Sequence, residues 1–103
     1  MKKHKIITLC GNTKFKEKFQ EIQKMLTLAG YIVIPIYGFG HNDDTNLLAY
    51  STKEMLASIH AQKIEMADEI FVIDVGGYIG PNTKKEIQHA EFFRKKIRYY
   101  SNM

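Results

Sequence analysis

The chain has 103 residues, 45% of them hydrophobic and 25% charged, and carries a net charge of +4. That length holds one compact domain and excludes two, and the single cysteine, Cys10, excludes an internal disulfide and fits a reducing compartment. No apolar run approaches the roughly 20 residues of a membrane span, and the charged start "MKKHK" leads into a strand-length run without a small-residue cleavage site, so a cytoplasmic protein with no membrane partner is expected.

Residues 5–10, "KIITLC", are a short apolar run closed by Gly-Asn-Thr, and they predict a buried first strand. Phe15, Phe19, Ile22, Leu26 and Ala29 then recur at helical spacing, with Gly30 as a stop just beyond them. "YIVIPI" (residues 31–36) is the second strand, in which Pro35 marks the strand's end or a sheet edge because it cannot donate to a ladder. "YGFGHNDDTN" (residues 37–46) reads as a long loop. Ser51 and Glu54 have the spacing of a capping box, and the helix behind them is expected to run to about Ala67. "EIFVID" (residues 69–74) is a third, fully apolar strand. A glycine-rich turn, a helix from about Thr83 to Lys96 and a short last strand, "IRYY", complete the chain.

Apolar strands separated by helices imply a parallel sheet covered on both faces. The fold expected is therefore α/β, a small doubly wound, Rossmann- or flavodoxin-like three-layer sandwich with a mostly parallel sheet of about four strands, spanning residues 1–103 as one domain. Ligands of such sheets bind beyond the carboxyl ends of the strands. Residues 11–15, 37–46 and 75–86 converge on that edge.

Each of these segments carries candidate binding groups. Gly11, Asn12 and Thr13 open the first helix, where free backbone N–H groups suit an anion and Lys14 offers a counter-charge; Asn12 or Thr13 serves equally as a routine cap. In the loop, Phe39 and His41 suit stacking on a planar base or sugar. His41, Asp43 and Asp44 lie close together without a second ligand cluster, so no metal site is expected there. Leu56, His60, Ile64 and Ala67 share one stripe of the second helix, where a histidine is either a satisfied core residue or an acid/base near the strand edge. Asp68, in "MADEI", reads as a turn or cap residue. Gly76, Gly77 and Gly80 give the next turn more glycine than it needs, and glycine permits close approach of backbone to a ligand. Thr83 and Glu86 form a T-x-x-E capping box, which alone would explain both. Yet Glu86 also precedes Ala90 and Phe93 on the core-facing side of its helix, where a first-turn carboxylate points into the cleft. The basic residues at the two ends read as solvated charge and helix-dipole complements, and with no basic stripe among aromatics no nucleic-acid partner is expected.

"CGNTKF", "MADEIFVIDVGGYIG" and "NTKKEIQHAEFFRKKIRYY" together resemble the nucleoside 2-deoxyribosyltransferase-like family, including its nucleotide-hydrolysing N-glycosidases. The resemblance covers most of the chain. It implies that Glu86 is the nucleophile that attacks the anomeric carbon of a (deoxy)ribose. It also implies that Gly11, Asn12, Thr13, Gly80 and Asn82 hold a 5′-phosphate. Two positions depart from the family pattern. His60 stands where members carry a sugar-orienting aspartate, and Gly80 stands where the transferases carry another, as the nucleotide hydrolases' small residue does. His60 or Asp74 would then support Glu86. "VGGYIGPNTKKE" is also similar, more loosely, to the PGGxGTxxE motif of lysine-decarboxylase-like phosphoribohydrolases.

The resulting expectation is a nucleoside- or nucleotide-binding protein, an N-glycosidase or deoxyribosyltransferase acting on a (deoxy)ribonucleoside 5′-monophosphate and paired as a homodimer. No metal or redox cofactor is expected, since that reaction needs neither. The competing readings are a nucleotide sensor without chemistry on the same fold, and an interaction domain in which each feature is a cap or a turn.

Overall fold

The computed structural model describes residues 3–36 and 50–103. Over these the chain forms four strands, β1 (Ile6–Gly11), β2 (Ile32–Ile34), β3 (Glu69–Ile73) and β4 (Lys96–Tyr99), and three helices, α1 (Lys16–Leu28), α2 (Tyr50–Met66) and α3 (Pro81–Phe92). Every strand pairing is parallel, and the order across the sheet is β2-β1-β3-β4. The doubly wound α/β layer sandwich expected from the apolar strands is present, with the sheet parallel throughout. No helix among the described residues is long and apolar enough to cross a membrane.

The alternation of side chains along a strand divides the core in two. Ile7 and Leu9 of β1, with Phe71 and Ile73 of β3, pack against Phe19, Ile22 and Leu26 of α1. Their neighbours Cys10, Ile70 and Val72 turn to the opposite face and meet Ile64 of α2 and Ala90 of α3. All five residues of β3 are buried, which is why its sequence shows no polar alternation. Each such aliphatic or aromatic side chain removed from water contributes about 1.5–3 kcal/mol.

The one charge inside β3 is Glu69, 2% exposed, which lies 3.6 Å from Arg98 and 4.0 Å from Lys5. Asp68, just ahead of it, clamps the first turn of the sheet. Its backbone N–H donates to Ile6 O at 2.8 Å, and its carboxylate accepts from Ile6 N–H at 2.7 Å.

Several boundaries differ from those the sequence suggests. β2 stops before Pro35 on the sheet edge, as a residue without an N–H requires. α2 begins at Tyr50, ahead of Ser51, so Ser51 is not its N-cap. α3 begins at Pro81 rather than Thr83, with Gly80 as N-cap and the Gly80 carbonyl accepting Lys84 N–H at 3.0 Å. Proline suits that first position because its missing N–H would have no helical partner there. Thr83 is consequently a buried residue within the first turn, and the capping-box reading of Thr83 and Glu86 is overturned. α3 also ends earlier than expected; Phe93 caps it and is 42% exposed, Arg94 turns the chain at φ 58°, and β4 starts at Lys96.

β1 ends on a glycine for a packing reason. Gly11 has φ 142°, and a Cβ there would stand 2.9 Å from the Ile73 carbonyl oxygen of the neighbouring strand. Gly11→Ala is therefore expected to lower stability by about 1–3 kcal/mol, from the backbone strain alone. Urea unfolding checks this, with an unchanged m-value and a lower midpoint as the expected result.

Candidate functional site

The order β2-β1-β3-β4 reverses direction at β1, because the chain leaves β1 towards β2 and returns to β3 on the other side. A crevice at the carboxyl end of β1 follows from that reversal. A cleft of about 800 Å³ opens there, bounded by Gly11–Asn12–Thr13, by one side of α2 and by the start of α3. Glu86 reaches it from the second turn of α3, one turn behind Thr83 and one ahead of Ala90, both of which are buried. The stripe Thr83–Glu86–Ala90 thus faces inward, and Glu86 is the member that meets the cleft.

Two other side chains meet Glu86 there. His60, from the buried stripe of α2, places Nε2 3.6 Å from Glu86 Oε1 and 3.5 Å from Cys10 Sγ. Cys10 is the last side chain of β1 before Gly11 and faces the α2/α3 layer. The donor atoms of Cys10, His60 and Glu86 all lie within 4.8 Å of one another. Cys10 and His60 are buried, and the Glu86 side chain keeps 20% of its surface exposed. Glu86 Oε1 itself is buried without a hydrogen-bond partner, which is costly for a carboxylate oxygen. Burial pushes the Cys10 thiol well above its ordinary range, and the adjacent Glu86 charge raises it further. The thiol is thus held protonated.

The remaining predicted site residues divide. Gly11, Asn12, Thr13, Gly80, Asn82 and Thr83 all line the cleft with Glu86. The Asn12 side chain also caps the short 3-10 turn Thr13–Phe15, accepting Lys14 N–H at 2.9 Å. A Cβ at Gly80 would stand 3.0 Å from the hydroxyl of the exposed Tyr78 side chain, which can move aside. Lys14 turns away, its Nζ 4.3 Å from the Tyr78 ring centroid. Gly76 and Gly77 adopt φ of 65° and 79° in an exposed turn with open space around them, so their glycine identity serves the turn and not the cleft. Asp74 is buried, and Ser101 occupies both its oxygens: the backbone N–H donates to Oδ1 at 2.8 Å and the hydroxyl to Oδ2 at 2.6 Å. Asp74 therefore anchors the C-terminal turn. Phe39 and His41 lie outside the described residues, as do Asp43 and Asp44.

The sequence reading missed the cleft residues on α2. Lys53 and Glu54 stand at its mouth with Lys85 of α3. It also missed Cys10 as a partner of His60. The available signal was parity, because Cys10 shares its strand face with Thr8, whose hydroxyl donates to the Lys63 carbonyl of α2 at 2.9 Å.

No protein-family model matches the chain, and no curated protein or solved structure is significantly similar to it. The site stands on its geometry.

Because Cys10 is fully buried and held as a thiol, native protein is expected to resist Ellman's reagent for many minutes. One thiol per chain is expected to react at once in 6 M guanidinium, as read by absorbance.

Proposed function

We propose that the cleft binds a nucleoside 5′-monophosphate and that Glu86 cleaves its N-glycosidic bond. The observation that carries this reading is the position of Glu86, a partly exposed carboxylate at the carboxyl edge of a doubly wound sheet. Two groups suited to a phosphate border the same cleft. One is the first turn of α3, whose N–H groups the helix cannot satisfy internally. The other is the pair of exposed lysines, Lys53 and Lys85. The residue pattern similar to the nucleoside 2-deoxyribosyltransferase-like family agrees with this assignment.

In the reaction, a Glu86 oxygen bonds to C1′ as the C1′–N bond breaks, and the bonding pair leaves with the base, which takes a proton from water. The transition state resembles an oxocarbenium ion, and its positive charge is stabilised by the carboxylate beside it. Water then attacks C1′, its proton passes to the hydroxide left by the first step, the ester bond breaks, and the Glu86 carboxylate is regenerated with the anomeric configuration retained. His60 lies behind Glu86 rather than beside a departing base, so its part is to position the carboxylate.

One observation favours a nucleotide-binding module without chemistry. His60 is buried against Cys10 and Glu86, and Asp74 is tied to Ser101, so neither is disposed to protonate a leaving base.

The test is incubation with a panel of nucleosides and nucleoside monophosphates, with free base followed by chromatography. Base release is expected from one or more monophosphates, and Glu86→Gln is expected to reduce it by about a thousandfold or more. Release that survives the substitution sinks the nucleophile. A thermal shift with one nucleotide and no release would favour the binding module.

A further inference from the structure

Cys10, His60 and Glu86 come from β1, α2 and α3, and no packing rule requires a thiol, an imidazole and a carboxylate to converge at one point. They are also the donor types that hold zinc. A tetrahedral zinc ion, with bonds of about 2.3 Å to sulfur and about 2.0–2.2 Å to nitrogen and oxygen, separates a sulfur from a nitrogen ligand by about 3.6 Å and a nitrogen from an oxygen ligand by about 3.4 Å. The distances here are 3.5 Å between Cys10 Sγ and His60 Nε2, and 3.6 Å between His60 Nε2 and Glu86 Oε1. Two of the three ligand–ligand separations therefore already match the edges of a coordination tetrahedron, and the third, Cys10 to Glu86, is within 4.8 Å.

We propose that Cys10, His60 and Glu86 form a three-ligand site for one zinc-class divalent ion, with the fourth position open to the cleft. The buried Glu86 Oε1, which has no hydrogen-bond partner, would instead give a lone pair to the ion. On binding, the ion forms bonds to Cys10 Sγ, His60 Nε2 and Glu86 Oε1, and the Cys10 S–H proton is released to water. One thiolate and one carboxylate then neutralise the dication, so no net charge is left in a buried position. Because Glu86 borders the cleft, the ion reaches the site from solvent and its open position faces the side a ligand would occupy. Magnesium and calcium fit poorly, because these hard cations take oxygen ligands and two of the three donors here are sulfur and nitrogen. The inference is independent of the glycosidase reading. Where both hold, a coordinated Glu86 is no longer a nucleophile, and zinc inhibits base release.

The test uses tag-free, reduced protein freed of metal with a chelator and titrated with Co²⁺. The expected result is one ion per chain, with a near-ultraviolet thiolate-to-cobalt band and visible absorption of a four-coordinate ion, both displaced by Zn²⁺. Cys10→Ser is expected to abolish the charge-transfer band. Glu86→Gln is expected to weaken binding by more than about tenfold, the lower end of what even outer-shell changes cost. Should Cys10→Ser fail to fold by circular dichroism, a Zn²⁺-dependent rise in Tm that is large in the wild type and diminished in Glu86→Gln supports the site. Absence of a thiolate–cobalt band in the wild type overturns the proposal, as does binding that Glu86→Gln leaves unchanged; an ion held at the exposed His89–Glu65 pair would give that second outcome. Base release measured with chelator present reports on the nucleophile alone, so the two readings fail separately.

Discussion

The structure depends on how closely β1 and β3 approach at their carboxyl ends. Gly11 pairs with Ile73 in the ladder, and the space between them admits no side chain at Gly11. That pairing fixes which β1 residues face which layer. Ile7 and Leu9 are committed to α1, and Thr8 and Cys10 to α2 and α3. A slip of one residue would exchange the two faces, burying Thr8 and Cys10 against the apolar side of α1. It also fixes the cleft, since the chain turns out of the sheet at Gly11 and a wall formed by α3 begins at Gly80. The glycine at the end of β1 thus sets both the core register and the position of the site.

Within that frame the Cys10–His60–Glu86 group carries a polar cost at one of its oxygens. A buried thiol and a buried imidazole in contact lose little, because each still has a polar neighbour. A carboxylate oxygen buried without a hydrogen bond is different, because a lone pair taken from water and left unmatched costs about 1–3 kcal/mol or more. Proteins retain such costs mainly where the group has work to do. Glu69 is more deeply buried and its Oε1 likewise lacks a hydrogen bond, but Arg98 at 3.6 Å and Lys5 at 4.0 Å flank that carboxylate. Asp74 is matched by its two bonds to Ser101. Glu86 differs in facing a histidine, His60 at 3.6 Å, and in meeting the cleft.

What the sequence disclosed follows the range of the interactions concerned. Apolar runs such as "KIITLC" and "EIFVID" and the spacing of Phe19, Ile22 and Leu26 are local patterns, and strands and α1 formed where they indicate. The start of α3 was misread because two local signals compete there. T-x-x-E at Thr83 and proline at Pro81 both mark helix beginnings, and the fixed φ of proline prevailed, leaving Thr83 inside the helix. The glycines at Gly76 and Gly77 have the composition of a phosphate loop but the conformations of an exposed turn, a distinction that only φ and surroundings reveal. Of the triad, Glu86 and His60 were singled out and Cys10 was not, because its meeting with them appears only once the sheet order and strand parity are known. A search for ligands near one another in the chain finds His41, Asp43 and Asp44 instead.

Glu86 is where local and tertiary forces are reconciled. Its backbone belongs to a helix that begins at a proline, and its side chain follows the stripe of Thr83 and Ala90 inward. That stripe would normally carry aliphatic residues at every position. A leucine at position 86 would satisfy the helix equally well but would remove the carboxylate that faces His60 Nε2 at 3.6 Å and acts on the Cys10 thiol. The partial exposure of the carboxylate makes it the only one of the three groups that meets both the cleft and the buried pair behind it. An attacking carboxylate needs its charge free and its outward oxygen unhindered. A metal ligand needs the inward oxygen matched to an ion. One residue with one buried and one cleft-facing side can satisfy either demand but not both together.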